Sequence, residues 1–162
     1  VCADFFKDQN QDANGLFTIE SKGLLGLRNI TELSVNTQIY DMASDFIQKI
    51  SQREDAVIVG RCADYALEDN PYAVSVFIKA SLDERVQRIK RIYELNDSKA
   101  ADLIQKTDKR RASYYNYYSS KKWGEAKSYN LCIDSGLVGI DGAIDMILKF
   151  IELKEKNMGK DI

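Results

Sequence analysis

Apolar residues change their spacing several times along the chain, and each change marks an element. From Thr37 to Arg53, Ile39, Met42, Ala43, Phe46, Ile47 and Ile50 recur at intervals that place them on one side of a helix. At Ala56 the spacing collapses into the unbroken run Ala56-Val57-Ile58-Val59, closed by Gly60, which predicts a buried parallel strand. Ala63–Glu68 reads as a helical turn or two ended by Asn70-Pro71. Val74–Ala80 is a second β-branched and aromatic run, and Ser81 with Glu84 three residues on forms a capping-box signature for a helix reaching about Glu94. Asp97 or Ser98 is expected to cap the next helix, which leads into a tyrosine-rich stretch. Asn130–Asp134 is a third apolar run, and Ile140–Lys156 a closing helix with Ile144, Ile147, Leu148 and Ile151 on one face. Residues 1–33 are the least periodic; Gly15, Gly23, Gly26 and the polar run Lys7–Asn14 predict short elements joined by loops.

Strands alternating with helices predict an α/β domain whose parallel sheet is covered on both faces. Ligands of such sheets sit beyond the carboxyl ends of the strands, which directs attention to Gly60-Arg61, Ala80-Ser81 and Asp134-Ser135.

Composition narrows the chemistry. At 162 residues, 44% hydrophobic and 30% charged, the chain is expected to form one soluble domain. A net charge of −2 argues against a dedicated nucleic-acid or membrane partner, and no apolar run approaches the roughly 20 residues that span a bilayer. Cys2, Cys62 and Cys132 are odd in number and widely spaced, as expected of free thiols in a reducing, cytoplasmic setting rather than of a disulfide framework or metal site. The complete absence of histidine excludes Ser-His and Cys-His nucleophilic catalysis and His metal ligands.

Four fragments carry candidate chemistry. In Ile58-Val59-Gly60-Arg61-Cys62-Ala63-Asp64-Tyr65 a strand end presents an Arg fork suited to a phosphate, or alternatively an Arg paired with a nearby carboxylate. The run Lys106–Tyr118, followed by Lys121, Lys122 and Trp123, clusters cations that could neutralise transferring phosphoryl oxygens. Its plainer readings are a solvated basic helix face with tyrosines on the apolar side, or a nucleic-acid surface of interleaved basic and aromatic groups. Cys132-Ile133-Asp134-Ser135-Gly136 suits a nucleotide contact, or a turn whose Asp caps local amides. Val76–Ile89 is by itself a strand feeding a capped helix, with Arg85 and Arg88 solvated.

Taken in order, the fragments VIVGRCADY, VFIKASLDERVQR, TDKRRASYYNYYSSKKWG and YNLCIDSGLVGI resemble the cytidylate-kinase-like family of P-loop nucleoside monophosphate kinases, from Val57 to Ile140. The resemblance implies a three-layer α/β/α parallel sheet with a helical lid at about residues 96–124. It makes residues 1–54 the acceptor-side segment and residues 55–162 the remainder of the same kinase core. It implies that Arg61 holds the acceptor phosphate, with Asp64, Asp108 and Tyr114 as further substrate contacts. Arg110 would close over the γ-phosphate with Arg111 and Lys109 as helpers, and Asp134 and Ser135 would lie near the donor nucleotide. ATP and Mg2+ are the implied cofactors, with small-molecule nucleotides as partners and CMP or dCMP as the family's default acceptor.

The sequence also departs from that pattern. No G-x-x-x-x-G-K-[ST] stretch occurs in it, and the chain opens on Val1, so the resemblance implies that the central strand and phosphate-binding loop lie upstream. Val59 and Cys62 stand where cytidylate kinases are expected to carry aspartates. Thr107, Arg111 and Tyr114 replace residues that contact substrate in those enzymes. A non-catalytic nucleotide-binding protein, or a kinase for another small-molecule acceptor, is therefore carried beside the nucleoside monophosphate kinase.

Overall fold

The computed structural model describes residues 28–159, with side-chain surroundings from residue 37 onward. The chain divides into two units, residues 1–39 and 40–162, and the first contributes only the helical segment 28–39 to the described residues. The short elements expected before Leu33 lie mostly outside the described residues. Arg28–Leu33 is the exception, forming the start of a 24-residue helix where short elements joined by loops were expected.

Helix α1 (Arg28–Ser51) is followed by the single-turn α2 (Ala63–Ala66), strand β1 (Val76–Lys79), α3 (Leu82–Tyr93) and α4 (Asp97–Ser119). A 3-10 turn (Ala126–Ser128), strand β2 (Leu131–Asp134) and α5 (Ser135–Met158) complete the chain. The two strands pair in parallel with Val76 opposite Leu131 and Lys79 opposite Asp134, so both carboxyl ends meet at one edge. Parallel pairing requires a crossover, and α3 and α4 supply it.

Local signals explain the element ends. The Ser81 hydroxyl accepts from Glu84 N while the Glu84 carboxylate accepts from Ser81 N, completing the capping box expected there. The cap of α4 is Asn96, not the expected Asp97 or Ser98; its carboxamide accepts from Lys99 N at 2.9 Å. Asp134 caps α5 through Gly136 N. Gly139 then leaves the helical region at φ 73° and ψ 176°, so the long regular run begins at Ile140, where the periodicity placed it.

One expected element does not form. Ala56–Val59 lies outside the two-stranded sheet, and Val57 and Val59 are 97% and 78% exposed. A strand exists through its ladder partners, and among the described residues none pairs with this run. Its apolar, β-branched composition is satisfied only where a neighbouring strand covers it. The sheet seen here is accordingly small and parallel within an α/β pattern, and the third strand is a correction to the expected arrangement.

Packing divides into two regions. Helices α3 and α4 meet through Val86, Ala100 and Ile104, with Ile89, Leu95 and Ala101 around them. Helix α5 packs on both strands, over a β2 whose Ile133 is only 1% exposed. The face it buries carries Ala143, while Ile144 and Leu148, expected on the inner face, are exposed. Gly136 is constrained by close approach, because a Cβ there would run into the Glu84 carboxylate that completes the α3 cap. Among the described residues no helix is long and apolar enough to cross a membrane.

Candidate functional site

The most unusual backbone of the described chain follows the unpaired Ala56–Val59 run. Gly60, Arg61 and Cys62 take positive φ values of 75°, 57° and 54° in succession. Glycine adopts this region freely, whereas each L-residue does so at a cost of about 1–2 kcal/mol. The turn is closed by Ala63 N donating to Gly60 O at 3.1 Å, and the Cys62 carbonyl accepts from Tyr65 N and Ala66 N. The chain thus reverses tightly and leads straight into α2, with Arg61 at its apex and half-buried.

Helix α4 supplies the opposite wall. Its buried stripe runs Ala100, Ile104, Tyr115 and Ser119, with half-buried Asp108 between them. Spacings of four and seven residues put these groups on one side; exposed Lys109 and Arg110 fall off that stripe, while exposed Arg111, three residues after Asp108 and four before Tyr115, lies along it. At the carboxyl-terminal end the tyrosines engage the reversal. The Tyr115 hydroxyl donates to Asp64 Oδ2 at 2.6 Å, and Tyr118 stacks on Tyr40 of α1 with ring centroids 4.2 Å apart. Lys121 Nζ lies 3.3 Å from Glu68 and over the Tyr65 ring. Gln48 of α1 donates to the Ala66 carbonyl, tying α1 to α2.

The Tyr114 hydroxyl is buried and makes no hydrogen bond of regular geometry. Burial raises its pKa, the nearby Cys62 thiol adds to the rise, and the charge of neighbouring Arg61 opposes it. Burial likewise pushes Tyr40 up to about 12, helped by Cys62, and raises Tyr115, whose bond to Asp64 adds to the effect. Every one of these phenols is neutral at ordinary pH, so the charges of this cluster are the Arg61 guanidinium and the Asp64 carboxylate that accepts from Tyr115, set among neutral hydroxyls and aromatic faces. A guanidinium in such a place is well suited to an incoming anion.

Cys62 belongs to the same cluster. Burial pushes its thiol from 9.0 to about 12, with Asp64 contributing. Its folded value lies above the unfolded one, so the stability it contributes is present below about pH 9 and is lost as pH rises towards 12. Denaturant unfolding should therefore give a flat profile through neutral pH and a decline above about 9 that begins later in Cys62→Ala. With Cys2 replaced by Ser, a thiol reagent at neutral pH should titrate exposed Cys132 quickly and Cys62 only on unfolding.

The expected site residues therefore fall into separate groups. Arg61, Asp64 and Tyr114 come together at the reversal. Asp108 is held by Arg85 of α3 at 2.7 Å, which ties α4 to α3. Asp134 pairs with Lys79 at 2.8 Å and caps α5, while the Ser135 hydroxyl donates to the Lys79 carbonyl. The Lys79 ammonium and the Gly136 amide hold the Asp134 carboxyl below the usual range. These last two residues make the structural contacts that the turn reading of Asp134-Ser135 anticipates. Tyr115 and Lys121, members of the basic and tyrosine-rich run, and Tyr40, which no motif marks, join the cluster; Tyr115 and Asp64 stand 51 positions apart, and no local pattern announces such a bond. An open, polar depression of about 430 Å³ lies beside it, lined by Asn116, Ser120, Lys121, Lys122, Glu125, Lys127 and Ser128.

Comparison with known proteins places this arrangement. A crystal structure of an uncharacterized protein from Eubacterium ventriosum superposes with a TM-score of 0.68 at 38% identity, covering 70% of this chain and 65% of that one. The chain thus spans just under two thirds of that relative's length. The profile of the cytidylate kinase-like family matches residues 4–137, and the chain belongs to that family. No curated protein matches the sequence.

Proposed function

We propose that the protein is a nucleotide kinase that transfers a phosphoryl group from ATP to a nucleoside monophosphate, with the Arg61 reversal as the seat of the acceptor phosphate. The observation that carries this reading is the half-buried Arg61 at the apex of a strained turn, walled by α4 and flanked by neutral tyrosines. Membership of the cytidylate kinase-like family supports a nucleotide kinase in general, and CMP or dCMP as the first acceptors to test. The three-layer P-loop kinase sheet is part of the same proposal.

An acceptor phosphate is already a competent nucleophile, so the protein's task is to position it and neutralise charge. Arg61 would hold its non-reacting oxygens through the guanidinium fork, and the Tyr114 hydroxyl beside it supplies a donor now without a regular partner. Lys109, Arg110 and Arg111, exposed three to five residues before Tyr114 on the same helix, would lie over the transferring group. The tyrosine faces would keep water away from it. ATP and Mg2+ fit less well: the sequence has no G-x-x-x-x-G-K-[ST] stretch, and no three metal-ligating side chains cluster among the described residues. No step is therefore assigned to residues of this chain on the donor side.

That asymmetry favours a second reading, a nucleotide-binding protein without transferase activity. A coupled assay of ADP release across CMP, dCMP, UMP and AMP separates the two. The kinase reading expects turnover with at least one of them, and absence of turnover with all four, alongside retained monophosphate binding, selects the binder.

A further inference from the structure

Three left-handed residues in succession do not persist unless their surroundings hold them. Helix α2, which follows, is a single turn of four residues and is too short to be stable by itself. The constraint must come from outside it. Among the described residues, three side-chain hydrogen bonds from other elements reach α2 and the residues next to it: Tyr115 to Asp64 at 2.6 Å, Gln48 to the Ala66 carbonyl at 3.2 Å, and Lys121, which also lies over the Tyr65 ring, to Glu68 at 3.3 Å. The last two involve exposed groups, and an exposed ion pair contributes little. The Tyr115 bond differs. Its ring is 6% exposed and stacks near Tyr129, so packing aims its hydroxyl, and the bond ends on a carboxylate. Asp64 lies in the first turn of α2, three residues after the apex.

We infer that Tyr115 is a positioning residue for Arg61: by donating to Asp64 it fixes the Gly60–Cys62 reversal and hence the direction in which the Arg61 guanidinium reaches. This rests on the acceptor-phosphate reading for its functional consequence, although the geometric link stands by itself. Tyr115 shares helix α4 with Lys109, Arg110 and Arg111, so the cations of the lid and the acceptor Arg are set by one rigid element. Movement of the carboxyl-terminal half of α4 would carry Arg61 with it.

The experiment is a mutant cycle on Tyr115→Phe and Arg61→Ala, with Tyr117→Phe as control because Tyr117 is exposed on the same helix. CMP affinity is measured by calorimetry, and the Arg61 Nε–H resonance, assigned by its loss in Arg61→Ala, is followed by NMR. Tyr115→Phe is expected to weaken CMP binding about tenfold, the equivalent of one charge-assisted hydrogen bond, and to shift the Arg61 resonance. Tyr117→Phe should do neither, and the double variant should bind no worse than Arg61→Ala alone. Wild-type affinity in Tyr115→Phe while Arg61→Ala is weakened overturns the inference, as does a full additive loss in the double variant. Should Arg61→Ala bind CMP normally, the phosphate reading fails instead. The resonance then decides: shifted in Tyr115→Phe it upholds the positioning link, unmoved it overturns it.

Discussion

Arg61→Ala is expected to weaken binding of a nucleoside monophosphate by about ten- to a hundredfold, while the unfolding midpoint stays close to that of the unaltered protein. The affinity loss follows from removing hydrogen bonds to a charged phosphate, each contributing about 1.5–3 kcal/mol, where 1.4 kcal/mol corresponds to a factor of ten. The small stability effect follows from the geometry. Arg61 sits at φ 57°, and alanine is no better suited to that region than arginine, so the backbone cost is unchanged. Arg61→Gly removes that cost and should lose the same affinity without loss of stability. Isothermal titration with CMP, paired with urea unfolding, separates the two effects. A variant that loses both together would mark Arg61 as a structural residue of the reversal.

The largest stability effect is expected at Ile133. It is the most deeply buried large side chain among the described residues, at 1% exposure, within β2 and opposite Ile78 of β1. Truncation to alanine removes buried methylene groups and leaves a cavity, costing about 2–5 kcal/mol. Its register partner Ile78 is 53% exposed, so Ile78→Ala should cost less than half as much. Urea unfolding should show a displaced midpoint at unchanged slope for Ile133→Ala, since the surface exposed on unfolding is nearly the same. A midpoint within experimental error of the wild type would mean that β2 is not the centre of this core.

How legible these features are depends on how far along the chain their causes lie. The Ser81–Glu84 capping box is complete within four residues, and it forms where the sequence places it. The helix break at Gly139 and the Asn70 turn, where Tyr72 N donates to the Asn70 carboxamide, are similarly local. The α4 cap falls on Asn96 rather than on Asp97 or Ser98 because all three are competent caps in a row. Periodicity also located α1 from Thr37 onward and α5 from Ile140 onward. It could not choose which side is covered: Met42, Ile144 and Leu148 repeat with helical spacing and are nonetheless exposed, while Ile47 and Ala143 are buried. That choice is made by neighbours distant in sequence.

The same reasoning explains Ala56–Val59. Composition alone specifies a strand there, but a strand is a pairwise object, and its partner has to be present. At the site, Arg61 was legible from a Gly-Arg after an apolar run, and the basic stretch from Lys106 from its contrast with an acidic chain. The way they are joined was not. Tyr115 meets Asp64, and Arg85 meets Asp108, across 51 and 23 positions respectively, and only the fold brings those groups within bonding distance. Asp108, Asp134 and Ser135 look like ligand contacts by position, yet each is occupied with holding elements together.

The structure of the protein bound to CMP or dCMP tests the central claim most directly. The account predicts phosphate oxygens within hydrogen-bond distance of the Arg61 guanidinium, next to the segment of α4 that carries Lys109, Arg110 and Arg111. A nucleotide whose phosphate lies instead in the lysine-lined depression between Ser120 and Ser128, with Arg61 touching no ligand atom, would contradict it.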